Sequence, residues 1–203
     1  MTDADVEALV ATDADLAAAV ERWGPPPTWR RPPGFATLVL QVLEQQVSLG
    51  AAAAHFARLA ETAGGEVTPA AVVDLDDDTM RAAGVSRQKA RYVRALAAAV
   101  LDGELDLHGL DSLTDEQARA ALTAVPGIGP WTADVHLLFV LRRPDLFPVG
   151  DRALQVGAAE VLGLPAPPAP DELASIASRW APRRSAAARV LWHAYLSARG
   201  RTM

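Results

Sequence analysis

Leu122-Thr-Ala-Val-Pro-Gly-Ile-Gly-Pro-Trp-Thr-Ala-Asp134, an apolar run, and then Phe147-Pro-Val-Gly-Asp-Arg-Ala-Leu154 form the stretch on which the fold turns. Thr114-Asp-Glu-Gln117 is a capping box that opens a polar helix, expected to end near Ala124. Val125-Pro-Gly-Ile-Gly129 cannot continue that helix, because Pro126 lacks an amide hydrogen and both glycines favour positive φ. Pro130 suits the first turn of a second helix, expected to run to about Leu141. With no side chains on Gly127 and Gly129, a phosphate can approach their backbone amides, and the positive end of the second helix adds to the attraction. Val125, Gly127, Ile128, Gly129 and Thr132 are therefore the candidate grip on a nucleic-acid backbone, one that does not read sequence. A plain turn between packed helices has the same local sequence, and the motif alone leaves both readings open.

The 203-residue chain is long enough for one compact domain or two small lobes, and half of its residues are hydrophobic. Alanine is abundant and β-branched runs are scarce, which predicts an all-α fold. The absence of cysteine excludes disulfides, zinc–cysteine sites and a cysteine-held iron–sulfur cluster. The acidic N-terminus has no basic region of the kind that opens a signal peptide, and no apolar run is long enough to span a bilayer. A cytoplasmic protein with no membrane contact is expected. The net charge of −6 argues against nucleic acid, but it is unevenly spread. Residues 79–101 carry Arg81, Arg87, Lys89, Arg91 and Arg94 and no acid. Residues 173–203 carry six arginines and no acid. One basic face suits DNA, and ordinary solvated helix faces would give the same pattern.

Along the chain, Thr12 is expected to cap a helix through Trp23, stopped by Gly24-Pro-Pro-Pro27. Residues 35–46 read as a buried helix. Ser48, Thr68 and Ser86 are expected to cap the next helices, with another short one over 77–83. After the hairpin, Asp151 begins a helix ending near Gly163, and two helices at about 171–180 and 184–198 complete the chain. Ala83–Ala90 has the outline of a weak second hairpin, more simply a helix–helix turn.

The hairpin followed by a Gly/Pro-rich loop and an aspartate twenty-two positions beyond Gly129 resembles the helix-hairpin-helix (HhH-GPD) DNA glycosylase superfamily. The resemblance covers roughly Gln41 to Leu196, and its nearest subgroup is similar to 3-methyladenine DNA glycosylase II. It implies two helical lobes with an active-site cleft between them, one lobe formed by 1–34 with 149–203 and the other by 35–148, with the hairpin at 122–134. It implies Asp151 as the catalytic carboxylate. Breaking an N-glycosidic bond builds positive charge on the deoxyribose, which a carboxylate stabilises while it orients or deprotonates water. Gly150-Asp151 before a helix is also an ordinary N-cap, and the two roles can coexist.

In members that also nick DNA, a lysine two positions after the second hairpin glycine forms a Schiff base. Here that position is Trp131, and the chain's one lysine, Lys89, lies elsewhere. The resemblance thus implies a monofunctional enzyme in which water is the nucleophile and an abasic site the product. Trp131 is expected to stack on the extruded base and to favour a cationic alkylated purine; core packing is the competing reading. Gln46, with Gln45 beside it, falls at the wedge that fills the vacated gap in the duplex, although many members use a larger apolar side chain. Trp180, Pro182, Arg184 and Ser185 match a segment around the base pocket, where Arg183 and Val135 stand in place of aromatics that some members carry. Ser48, Lys89 and Arg184 are candidate DNA-backbone contacts. His55, His108, His136 and His193 form no ligand pattern, and no metal or cofactor is expected. The partner implied is double-stranded DNA with a damaged base, met by a monomer. Two alternatives stay open: a non-catalytic DNA clamp, and a glycosylase for uracil, hypoxanthine or an oxidised purine.

Overall fold

The computed structural model describes residues 2–201. Among them every regular element is helical. They fall into two compact units: one runs up to Arg30 and resumes at Arg142, the other spans Arg31–Leu141.

The first unit begins with α1 (Asp3–Val10) and α2 (Ala14–Trp23). The sequence gives no expectation of α1, yet a reciprocal box starts it. Thr2 Oγ1 accepts the Asp5 amide at 3.3 Å, and the Asp5 carboxylate accepts the Thr2 amide at 2.5 Å. Asp13, not Thr12, caps α2. Its Oδ1 accepts the amides of Asp15 and Leu16 at 3.1 and 3.0 Å, while the Thr12 hydroxyl turns back to the Leu9 carbonyl. A carboxylate can take two amides and adds a charge at the positive end of the helix.

The second unit holds α3 (Phe35–Glu44), α4 (Leu49–Thr62), α5 (Pro69–Val72), α6 (Asp77–Ala82), α7 (Arg87–Leu101), a 3₁₀ turn at Gly109–Ser112, α8 (Asp115–Thr123) and α9 (Pro130–Phe139). Ser48, Thr68, Ser86 and Thr114 cap their helices as expected. Helix α3 is the axis of this unit. Leu38, Val39, Val42 and Leu43 are wholly buried, and it packs on α4, α7 and α9. It ends two residues earlier than expected, because the backbone leaves the helical region at Gln45, with ψ 124°, and Gln46 follows with a left-handed φ of 59°.

The first unit resumes with α10 (Arg152–Leu162), which stops at left-handed Gly163, then α11 (Pro170–Ala177), a 3₁₀ turn at Ser178–Trp180 and α12 (Arg184–Ser197). Helix α12 packs on α10, α2 and α1. At the α10 crossing Gly157 is obligatory, since a Cβ there would lie 2.7 Å from the Leu191 carbonyl oxygen. Buried Arg189 on α12 fixes the proline run, its Nη2 bonding the carbonyls of Pro26 and Pro27 at 3.1 and 3.0 Å.

The chain changes unit at 30/31 and 141/142, not at the expected 34/35 and 148/149. Arg31 already belongs to the second unit: its guanidinium grips Glu44 through two bonds of 2.8 and 2.9 Å, and its amide reaches the Phe139 carbonyl. Residues 143–146 belong to the first, because the Ser185 hydroxyl accepts the Leu146 amide and donates to the Arg143 carbonyl.

The basic stretches are less basic in the fold than in the sequence. Arg94 and Arg87 face Asp77, Arg81 faces Asp78, Arg179 faces Asp13 and Asp15, and Arg199 faces Glu160. Acids that are distant in sequence, or lie just before a basic helix, fold onto it. No helix among the described residues is long and apolar enough to cross a membrane.

Candidate active site

The Phe147-Pro-Val-Gly-Asp151 turn is held by its own backbone. The Asp151 amide donates to the Pro148 carbonyl at 2.9 Å, and Gln155 Nε2 donates to the Val149 carbonyl at 3.2 Å. Asp151 is the N-cap of α10, as the sequence predicts, its Oδ1 accepting the Leu154 amide at 2.9 Å. The same oxygen accepts Nε1–H of Trp192 at 3.1 Å. Trp192 lies forty-one positions away on α12, and no spacing rule points to it. Two N–H donors from different helices therefore set the orientation of a half-buried carboxylate. An acid held this way can face a developing cation without reorganising.

The hairpin forms where expected, between α8 and α9. Val125 and Ile128 turn their side chains into the core, and the Ile128 amide closes the turn on the Val125 carbonyl. Their part in any grip is thus to anchor the loop. The two glycines do different work. Gly127 has φ 93°, and a Cβ there would overlap the Tyr92 side chain. Gly129 has φ −85°, so the expected positive φ is absent, and a Cβ would meet nothing within 4 Å. Open space outside Gly129 is what an approaching phosphate needs. No side chain caps the start of α9, and the amides of Gly127, Gly129 and Thr132 have no hydrogen-bond partner among the described residues. Trp131, between Pro130 and Thr132, is 37% exposed, which is unusual for an indole and contrary to simple core packing.

Gln46 is exposed at the α3–α4 turn, flanked by exposed Val47 and Leu49. A depression of about 250 Å³ opens beside it, lined also by His55, Gln88 and Tyr92. Gln45, beside it, is turned toward the hairpin: its Nε2 donates to the Gly127 carbonyl at 2.8 Å and to Thr132 Oγ1 at 3.1 Å. Ser48 caps α4 through its exposed hydroxyl.

The other residues singled out in the sequence have partners of their own or lie in the core. Lys89 Nζ donates to the Leu43 carbonyl at 2.6 Å, closing the end of α3, and its desolvation there lowers its pKa. Arg184 clamps Asp145 through Nε and Nη2 at 2.8 and 2.9 Å. Arg183 is exposed and faces Asp5 at 3.7 Å. Trp180 is a core residue, its Nε1 bonded to Asp13 and its ring 5.6 Å from Phe147. Val135 is buried on α9.

Sequence reasoning gives no warning of two polar pairs in the second unit. Arg119 on α8 bonds Asp134 on α9, and Gln41 on α3 bonds His136 on α9 inside the core.

Comparison with known proteins places these features in a family. Residues 39–183 match the model of the HhH-GPD superfamily base excision DNA repair protein. The chain is 38% identical, over 94% of its length, to the "Probable bifunctional transcriptional activator/DNA repair enzyme AlkA" of Mycobacterium tuberculosis, and it spans 40% of that protein. It is 30% identical to DNA-3-methyladenine glycosylase 1 of Schizosaccharomyces pombe, over 87% of this chain and 79% of the relative. The structure of the S. pombe 3-methyladenine DNA glycosylase Mag1 in complex with abasic DNA superposes with a TM-score of 0.83 at 28% identity, over 93% of this chain and 94% of that one.

Proposed function

The chain belongs to the HhH-GPD superfamily of base excision DNA repair proteins, and from that membership we propose that it is a DNA glycosylase which extrudes a damaged purine, an alkylated one by preference, and hydrolyses its N-glycosidic bond. The observation that carries this reading is the held carboxylate of Asp151, with Trp192 and the Leu154 amide on one oxygen. A DNA clamp needs no such acid.

In the proposed reaction the C1′–N bond breaks and its electron pair leaves with the base. An alkylated purine is already cationic, so it departs neutral. Asp151 offsets the positive charge left on the sugar and takes the proton of the water that attacks C1′. Trp131 stacks on the extruded base, its electron-rich face suited to a cationic purine. The hairpin amides hold the strand, and Gln46 fills the vacated gap, where its amide can hydrogen-bond the orphaned base. The only lysine is engaged with Leu43, so no amine is offered for Schiff-base chemistry and the product is an intact strand with an abasic site. In this reading the protein works as a monomer on double-stranded DNA, in the cytoplasm at the nucleoid.

The test is single-turnover base release from duplexes that each carry one lesion: a methylated purine, hypoxanthine, uracil or an oxidised purine, followed by alkaline cleavage. Methylated purine is expected to be released fastest. Asp151→Asn should abolish release while DNA affinity stays nearly unchanged. Equal release by wild type and variant would defeat the enzyme reading, and strand cutting without alkali would defeat the monofunctional one.

A further inference from the structure

Helix α3, with its C-cap residue Gln45, is joined to α9 by two side-chain rungs one helical turn apart. Gln41 and Gln45 are four apart on one side; Thr132 and His136 are four apart on the other. The inner rung is the buried pair Gln41 Oε1 and His136 Nδ1 at 2.9 Å. The outer rung is the Gln45 amide, which reaches both Thr132 Oγ1 and the carbonyl of Gly127 in the hairpin loop. The bond to Gly127 closes a gap of eighty-two residues in sequence.

The next residue, Gln46, sits at φ 59°, a conformation that residues with a Cβ avoid and that persists only where the surroundings enforce it. Its flanking backbone bonds are long, at 3.4 Å from the Gln45 amide to Val42 and 3.4 Å from the Val47 amide to Glu44. The side-chain bonds of Gln45 are shorter, and they fix the turn from the other direction. We propose that Gln45 is a positioning residue that locks the turn bearing Gln46 to the hairpin loop, so that the strand grip and the gap-filling side chain engage a damaged duplex as one rigid piece. This rests on the glycosylase reading for its ligand, a duplex with a vacated base position.

A hairpin grips any duplex, whereas a wedge acts only where a base is missing. The coupling therefore shows in a ratio: affinity for a duplex with a tetrahydrofuran abasic analogue over affinity for the same duplex undamaged. Partial unfolding lowers both affinities alike and leaves the ratio unmoved, so a purely structural role for Gln45 does not change it. The experiment measures both affinities by fluorescence anisotropy for the full chain, Gln45→Met, Gln46→Ala and the double variant. Methionine keeps the side-chain length and removes the donor. Each single variant is expected to lower the ratio on the order of tenfold, the size of one lost anchoring contact, and the double variant no further than either. Should Gln45→Met not fold, Gln45→Glu, which keeps the shape but cannot donate to the Gly127 carbonyl, makes the same comparison.

An unchanged ratio in the Gln45 variant overturns the coupling, and so does a double variant whose loss is the product of the two single losses. An unchanged ratio in Gln46→Ala overturns the wedge and the coupling together. A wild-type chain that binds both duplexes alike overturns the glycosylase reading itself.

Discussion

Arg119 on α8 and Asp134 on α9 join the two helices of the hairpin motif, Nε to Oδ1 at 2.7 Å, with the carboxylate more buried than the guanidinium. Burial raises the Asp134 pKa, and Arg119 pulls against that rise without cancelling it.

The pair should respond unequally to truncation. Arg119→Met leaves a largely buried carboxylate without its guanidinium and is expected to destabilise by about 2–3 kcal/mol near neutral pH. Asp134→Asn keeps an acceptor, removes the buried charge and leaves an arginine that can reach water, for a loss of about 1 kcal/mol or less. A carboxyl whose folded pKa is raised contributes stability in acid, below its unfolded value, and loses it as pH rises through the folded value. Removing Arg119 raises that folded value further, so its penalty should fade toward acid. Urea unfolding of both variants at neutral and acid pH checks this; equal losses at neutral pH would contradict it.

The two hairpin glycines should separate stability from binding. Gly127→Ala forces a side chain into a φ of 93° and onto Tyr92, and is expected to destabilise by about 2–4 kcal/mol. Gly129→Ala meets neither obstacle, so its stability should change by less than about 1 kcal/mol. Its new methyl nonetheless stands where a phosphate would approach, and duplex affinity should fall on the order of tenfold, the loss of one charge-assisted contact. Thermal unfolding and duplex binding of the two variants decide the matter. A Gly129→Ala protein with full affinity would remove the hairpin from the DNA interface.

What the sequence makes legible here is local. Thr114-x-x-Gln117, Ser86, Pro130 and Asp151 act within one helical turn, and each caps or opens the helix it was expected to. The hairpin is legible for the same reason. The destinations of long polar side chains are not, because they are set by what the fold brings near. Lys89 ends on a carbonyl forty-six residues away, Arg184 on Asp145, and Trp180 on Asp13. A count of charges along the chain likewise overstates the basic face, since it cannot see Asp77 turned toward Arg94 or Asp15 toward Arg179. The N-terminal helix escapes notice because its box ends in Asp5, where glutamate or glutamine is the usual signal.

The buried ring of His136 ties stability to pH. Desolvation first, and the Arg31 charge second, pull its pKa from the ordinary value of 6.5 to about 4. The unfolded chain therefore takes up a proton that the folded chain refuses anywhere between those values. Stability from this group is complete above the unfolded pKa and is lost as pH falls toward the folded one, by on the order of 3 kcal/mol in all. His136→Gln, which can still bond Gln41 but does not titrate, should show a shallower fall in unfolding free energy across that window. The difference in slope isolates His136, because every other titrating group is common to both proteins. Parallel curves for wild type and variant would mean that the ring is protonated as readily in the fold as outside it, and that the Gln41–His136 rung is open to water.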